Sequence, residues 1–445
     1  MQSLFLTAVL FSLIFMGFSA AFGAALGFVW VDIVKPQQLA YSIIAGWPLS
    51  MITALTMLTQ FFLKDRKSPP KFDPILILIT LLAIWVTLTT MMSGIPVFPW
   101  KKWDWVFKVL LFAVLMPYIF RSRVQIEAFI LVFIFSAATL FFSAGVKTLL
   151  GGGGYGVLAV MGQENTGLAE SSTLAVVCAS LIPMMLYIMR HTLVLPKSIF
   201  TQLLFLGLIV TAVATVVGTS ARAGLISLAL MYVLLTWRAP KQQRRWLIVI
   251  ALIGGIVVAN LNLASTPWGS RMSTIETYNK DSSALGRIAV WKWTLDFVGD
   301  HPMGGGFVAY AYNRIATVTD DGVIVYYPEG TIRGKAFHSI YFEVLGEQGI
   351  PGFVMYIAII GITLAKLRKL RRAWRDREGM TWLSTLASTL SISILVYLAG
   401  GAFVGIAYQP FFFYMISLTV ALDQYARRVL KDDQDNQKLE VQKAG

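Results

Sequence analysis

Apolar residues in this chain gather in blocks of about 18 to 25 positions, the length that spans a bilayer core, and short polar stretches rich in Lys, Arg, Gly and Pro divide the blocks. The pattern predicts transmembrane helices near about 4–30, 40–63, 74–94, 104–120, 126–146, 166–189, 199–218, 223–237, 246–264, 339–365, 382–400 and 402–423, about twelve in all. One polar stretch is long, from about 265 to 338. Within it Ser282 stands where a helix N-cap belongs, and Leu285, Ile288, Ala289, Trp293 and Leu295 follow at roughly helical spacing. They predict an amphipathic helix over about 282–298, suited to a membrane interface. The expected organisation is helices 1 to 9 over 1–264, one large loop over 265–338, helices 10 to 12 over 339–424 and a tail over 425–445. No internal repeat and no inverted pair of Gly- or Pro-broken spans is visible, and Gly151 to Gly154 read as a loop or turn.

Composition sharpens that reading. Of 445 residues 57% are hydrophobic and 13% charged, and the mean hydropathy is +0.69, whereas soluble domains carry about 25% charged residues. An all-α polytopic membrane protein is expected. The net charge of +14, from 37 Lys and Arg against 23 Asp and Glu, would suit a nucleic-acid binder if it formed a stripe among polar residues. Instead the basic residues cluster in short connections, at Lys64 to Lys71, Arg121 and Arg123, Arg190 and Lys197, Arg238 to Arg245 and Lys366 to Arg377, and again in the tail from Arg427 to Lys443. That bias marks the connections as cytoplasmic, argues against nucleic acid as a partner, and puts both termini in the cytoplasm with the large loop outside. The first apolar block lacks a basic leader and is too long for a signal peptide, so it is expected to be a helix. A single cysteine, Cys178, excludes disulfides within the chain and thiolate metal sites.

Charged residues on the side that this bias depletes require a reason. Arg222, between Ala221 and Ala223 in the outside stretch Gly218 to Gly224, reads either as a snorkelling anchor or as an anion-binding guanidinium that small neighbours leave approachable. Arg287 reads either as an ordinary arginine of an interfacial helix or, with Arg222, Arg271, Arg333 and Lys335, as part of a cationic pocket for phosphates. Of three histidines, His191 falls in a basic connection and His301 precedes Pro302 as a turn residue. His338 closes the large loop just before the apolar block from Ser339, as either a helix-start residue or a general base, a role that a neutral imidazole suits near pH 7. No HExxH and no outside Asp-x-Asp is present, so no metal site and no cofactor are expected, and arginines would have to stabilise an anionic leaving group. Asp281 and Tyr341 are further candidates for binding, with loop solvation or packing as the alternative.

Four blocks, Trp268 to Ile275 (WGSRMSTI), Asp281 to Arg287 (DSSALGR), His301 to Phe307 (HPMGGGF) and His338 to Gly352 (HSIYFEVLGEQGIPG), resemble the bacterial O-antigen ligase superfamily in order and spacing, as does Gly218-Thr219-Ser220-Ala221-Arg222 before them. The likeness extends to the O-glycosylation ligases associated with the exosortase A system, and weaker similarity covers Phe28 to Leu39 and Gly151 to Asn165. The resemblance implies an inner-membrane glycosyltransferase of GT-C-like type, with a large periplasmic loop that carries short helices. Such an enzyme moves a glycan from undecaprenyl pyrophosphate to the lipid A–core oligosaccharide in lipopolysaccharide biosynthesis. Relatives use a growing polymer or a protein hydroxyl as acceptor, so an O-antigen polymerase and a protein O-oligosaccharyltransferase stay open.

Residue by residue, the family's arginine before the eighth span matches Arg222, its loop arginine Arg287 and its histidine at the loop's end His338. One departure is that the usual Ser-Arg-Gly reads Ala221-Arg222-Ala223, which puts any role of a neighbouring serine hydroxyl in question. The resemblance thus implies a metal-independent, inverting transfer in which Arg222 and Arg287 hold the donor pyrophosphate and His338 deprotonates an acceptor hydroxyl. A lipid-linked oligosaccharide transporter is the rival of another class. Its charges should line a midplane cavity built on repeats, whereas here they fall in one outside loop.

Overall fold

A computed structural model of the chain describes residues 2–40, 43–65, 72–152, 168, 170–260, 282–319 and 321–444. The first half is α1 (Gln2–Ser19), α2 (Ala21–Val34), a short α3 (Pro36–Leu39), α4 (Leu49–Gln60) with a π turn at its end (Phe61–Asp65), α5 (Pro74–Met92), α6 (Phe98–Ile119), α7 (Arg123–Leu149) and α8 (Ser171–His191). Then follow α9 (Ile199–Gly218), α10 (Arg222–Arg238) and α11 (Lys241–Asn260). The large loop holds α12 (Ser282–Asp300), a 3-10 turn (Ala309–Asn313) and strands β1 (Ile315–Val318) and β2 (Ile324–Tyr326). Three helices close the chain, α13 (Ile340–Ala373), α14 (Thr381–Gly401) and α15 (Pro410–Ala444). Among the described residues six helices, α5, α7, α8, α9, α13 and α14, are long and apolar enough to cross a membrane, and α1, α2 and α4 are shorter apolar helices. The chain is an all-α polytopic membrane protein whose described strands form one small antiparallel hairpin.

Polar residues at the block edges start the helices. Asp73 accepts from the Ile75 amide at 3.0 Å at the head of α5, Ser198 caps α9 through the Thr201 amide, and Ser122 with Gln125 forms a capping box on α7. The apolar faces then meet. α7 packs on α9 and α2, α8 on α14 and α10, and α13 on α5 and α14. Where charge enters this apolar interior it is paired: Lys366 lies 2.5 Å from Asp73 and 2.9 Å from Asp423, which ties α13 to α5 and α15.

Several expected boundaries move, each for a local reason. The first span, 4–30, is two helices, because the backbone is extended at Ala20 (φ −158°, ψ 151°) and α2 folds back along α1. The two approach so closely that a Cβ on Gly23 would stand 2.5 Å from the Met16 carbonyl oxygen. Lys64 donates to the carbonyls of Phe18 (2.8 Å) and Ser19 (3.3 Å), so the α1–α2 turn lies beside the basic connection after α4. At the other end Leu6 and Leu10 pack with Val34 and Leu49. The N-terminus therefore sits at the end of the bundle opposite the basic connections, not with them as a single span requires. The span expected over 40–63 begins at Leu49, and that over 104–120 begins at Phe98, which carries Lys101, Lys102 and Asp104 into α6. The span expected over 402–423 begins at Pro410, and the segment 425–445 continues it as helix through Ala444.

Candidate functional site

The site is assembled on a break in α13. Gly349 has φ 63° and ψ −167°, and two residues later Pro351 has no N–H to donate to the Glu347 carbonyl. The carbonyls released by the break are satisfied by other elements. Gly305 donates to Gly346 O at 3.0 Å, Gly306 to Glu347 O at 2.9 Å and Trp85 Nε1 to Gln348 O at 2.8 Å, while Ile350 donates to Pro302 O at 2.9 Å. The Gly304–Gly306 run of the large loop is thus clamped to the helix by main-chain bonds. Approach is close enough that a Cβ on Gly304, whose φ is 83°, would stand 2.4 Å from the Gly349 nitrogen.

Above this clamp the loop has a small core of its own. Val290 of α12, Ala309, Ile315, Val318 and Phe337 are buried together. Trp291 donates from Nε1 to Phe337 O at 2.9 Å and stacks on Phe342 with ring centroids 5.0 Å apart. The expected helix is present and begins at Ser282; Val290, with Leu285, Ala289 and Trp293, covers the hairpin and the start of α13, while Ile288 and Leu295 stay exposed. The hairpin pairs Ile315 with Tyr326 and turns at Thr319 to Val323 with Gly322 at φ 79°.

This packing brings Arg287, Lys335 and His338 to one place. Asn313 fixes the Lys335 backbone, accepting from its amide at 3.1 Å and donating to its carbonyl at 2.8 Å. The Lys335 side chain then crosses α12 at Gly286, the residue before Arg287, where a Cβ would meet its Cε at 2.3 Å. His338 lies within the field of both cations. Burial first, then Arg287 and Lys335, push its imidazole down to about 4, against a weaker opposing pull from Glu343, so the ring is neutral at pH 7. Its backbone is in the left-handed region, φ 48°, a conformation that the surrounding structure must hold in place.

Beneath His338 lies a carboxylate pair that the sequence reading did not single out. Glu343 and Glu347, one helical turn apart on α13, both meet Lys102 of α6, at 2.7 Å and 2.8 Å. Glu347 has no exposure and also accepts from the Val308 amide at 2.9 Å, while Glu343 accepts from the Ala407 amide at 3.0 Å. The Lys102 ammonium faces the rings of Phe307 and Tyr408. The cluster locks α6, the loop after α12 and the α14–α15 connection around α13, the helix that His338 precedes. The signal was available: Glu343 and Glu347 recur at i, i+4 in an apolar block, and charge in such a block needs a partner.

The remaining candidates are placed differently. Arg222 is the first residue of α10, half-buried at the same end of the bundle, and follows Ser220, whose φ is 52°. Its helix reaches α13 through α14: Ser227 donates to Val396 O at 3.3 Å, and a Cβ on Gly401 would touch Ile340. Arg333 is exposed. Tyr341 turns its hydroxyl to the Leu398 carbonyl at 3.4 Å and packs against α14. Arg271 and Asp281 lie outside the described residues, as does the block Trp268 to Ile275. Among the described residues no three His, Cys, Asp or Glu side chains stand together as a metal-binding group.

Fold and site together define a helical membrane protein with a cationic, histidine-bearing site at one end of the bundle. Residues 204–357, which carry Arg222, Arg287, His338 and both glutamates, match the family described as O-antigen ligase, and residues 1–193 match a family of unknown function. The match over residues 204–357 supports membership of the O-antigen ligase superfamily. Membership supports a ligase- or polymerase-like, glycosyltransferase-type enzyme acting on lipid-linked glycans in general. No curated protein matches the chain.

Proposed function

We propose that the chain is an inner-membrane O-antigen ligase of GT-C-like type, which transfers a glycan from undecaprenyl pyrophosphate to the lipid A–core oligosaccharide. Its reaction site opens to the periplasm. The observation that carries this reading is the convergence of Arg287 and Lys335 on a neutral His338. Two cations side by side suit a pyrophosphate, and a neutral imidazole beside them is able to accept a proton. Arg222, at the same end of the bundle, completes the cationic rim, with Arg271, Arg333 and Asp281 as further contacts.

In this mechanism the polyprenyl chain lies among the helices and the pyrophosphate rests on Arg287, Lys335 and Arg222. The acceptor hydroxyl gives its proton to His338 and attacks the anomeric carbon opposite the pyrophosphate. A carbon–oxygen bond to the acceptor forms as the carbon–oxygen bond to phosphate breaks, undecaprenyl pyrophosphate leaves, and the linkage inverts. Charge couples the two substrates: a bound pyrophosphate offsets the fields of Arg287 and Lys335, so the proton affinity of His338 rises once the donor is in place. The leaving group is held by cationic side chains, without a divalent ion.

Purified protein in detergent with EDTA, supplied with an undecaprenyl pyrophosphate-linked glycan and lipid A–core, tests the assignment by a gel shift of the acceptor. Transfer to lipid A–core is the expected outcome. Longer donor-linked glycans with no shifted acceptor would instead identify a polymerase.

A further inference from the structure

At the end of the bundle opposite His338, the tips of α8, α10 and α13 and the head of α14 border an open cavity of about 970 Å³. Five guanidinium groups line it: Arg190 from α8, Arg238 from α10, and Arg371, Arg372 and Arg375 from α13. No acidic side chain is in its lining, and among the described residues no carboxylate forms an ion pair with Arg190, Arg238, Arg371 or Arg372. Arg238 is held in place by hydroxyl and carbonyl groups instead, donating to Ser388 O at 2.7 Å, Ser388 Oγ at 3.0 Å and Ser391 Oγ at 3.3 Å. Like charges gathered by separate helices repel one another, so the arrangement is most favourable with an anion among them.

A second space of about 660 Å³ adjoins the first, and Arg190, His191, Arg238, Pro240, Thr385 and Ser388 line both. The second space is an apolar groove between α8, α9, α10 and α14, lined by Ile182, Leu186, Ile209, Val213, Met231 and Leu235. Trp237, 71% exposed, borders the cavity and Trp246, 65% exposed, borders the groove, as aromatic residues do at the headgroup level of a bilayer. A cationic chamber beside an apolar slot that shares its arginines matches an amphiphile: an anionic head with a hydrocarbon chain below it.

We propose that this space is a binding site for an anionic membrane phospholipid, with its phosphate among Arg190, Arg238 and Arg371 and an acyl chain in the groove. Basic pockets between membrane helices hold anionic headgroups through the same chemistry. Positive-inside topology alone accounts for arginines in the connections, but not for their convergence, with no carboxylate in the lining, on one chamber that shares residues with an apolar slot. The site is remote from the proposed reaction centre and does not depend on the identity of the transferred glycan.

Native mass spectrometry of the full chain in mild detergent, titrated in turn with phosphatidylglycerol, phosphatidylethanolamine, polyprenyl phosphate and inorganic pyrophosphate, tests the proposal. The double variant Arg190→Gln with Arg371→Gln is compared with Lys197→Gln plus Arg245→Gln, which removes the same charge from exposed positions on the same side. Phosphatidylglycerol retention is expected to fall about tenfold in the first pair and to stay at the wild-type level in the second. Val213→Trp, which fills the groove and leaves every arginine in place, is expected to reduce retention as well and serves if the arginine pair fails to fold. Equal losses in both pairs, or equal retention of phosphatidylethanolamine, would overturn the site. Tighter binding of pyrophosphate would assign the chamber to a soluble anion, and preference for polyprenyl phosphate would assign it to the carrier lipid; either result overturns a bilayer phospholipid as the occupant.

Discussion

Lys102 Nζ lies 2.8 Å from Glu347 Oε1, so a lysine of α6 and a glutamate 245 positions later meet inside the protein, directly below the residue proposed as the general base. With Glu343 as second partner, that ammonium fixes how the first half of α13 stands against the loop above it. His338 lies five residues before Glu343, two residues ahead of the helix that this cluster holds.

Removing the ammonium leaves two carboxylates buried with too little compensation. Lys102→Met is expected to destabilise the protein by about 3–5 kcal/mol, the range for breaking one side of a buried ion pair. Thermal unfolding in detergent measures it. A change below about 1 kcal/mol would mean that water or a proton substitutes for the lysine.

The main-chain clamp between Gly304–Gly306 and α13 has no room for a side chain at Gly304, where a Cβ would stand 2.4 Å from the Gly349 nitrogen at a φ of 83°. Gly304→Val is expected to open the clamp, accelerate hydrogen exchange at the Gly305 and Gly306 amides and abolish transfer, with helix content unchanged by circular dichroism. Exchange rates equal to wild type would contradict the account of the clamp.

The Lys335 side chain passes over Gly286, next to Arg287 in sequence, and a Cβ there would collide with Lys335 Cε at 2.3 Å. Gly286→Val is expected to raise KM for the lipid-linked donor by about tenfold while kcat changes less, because the displaced cation binds the donor charge in ground and transition states alike. A loss confined to kcat would place Lys335 outside donor binding.

His338 supplies a pH signature whose sign follows from its surroundings. Burial and the two cations hold the folded imidazole at about 4. The unfolded value is about 6.5, so the stability that this group contributes is fully present above about 6.5 and is lost as the pH falls towards 4. An NMR titration of the labelled ring is expected to show protonation near 4, and in Arg287→Gln the midpoint moves up towards 6.5 because one of the opposing charges is gone. An unmoved midpoint would separate Arg287 from the histidine.

Much of the fold was legible in the apolar blocks, since a bilayer demands long apolar helices and the chain writes them plainly from α5 onwards. The α1–α2 hairpin was not, because Gly17, Ser19, Ala20 and Gly23 sit in a block with no charged or proline residue to mark the turn. The break at Ala20 is set by tertiary approach between small residues, and hydropathy does not register that. In the candidate site, Arg287, Lys335 and His338 stood out as charges on the depleted side. Lys102 did not, because it falls 241 positions from Glu343 and its role exists only once α6 and α13 meet. The GGG and EQGIPG runs read as family signatures in the sequence, and their physical work, exchanging main-chain bonds across a broken helix, depends on a juxtaposition that no local pattern carries.

The most direct test of the proposed chemistry replaces His338 with Asn, which tolerates the left-handed backbone and remains a neutral polar side chain but has no basic nitrogen. Transfer from an undecaprenyl pyrophosphate-linked glycan to lipid A–core is measured in proteoliposomes beside donor binding and thermal stability. The account predicts a loss of about a hundredfold or more in kcat with donor affinity and unfolding temperature near wild type. A His338→Asn protein that transfers within about threefold of the wild-type rate would contradict general-base catalysis by this residue and with it the proposed mechanism.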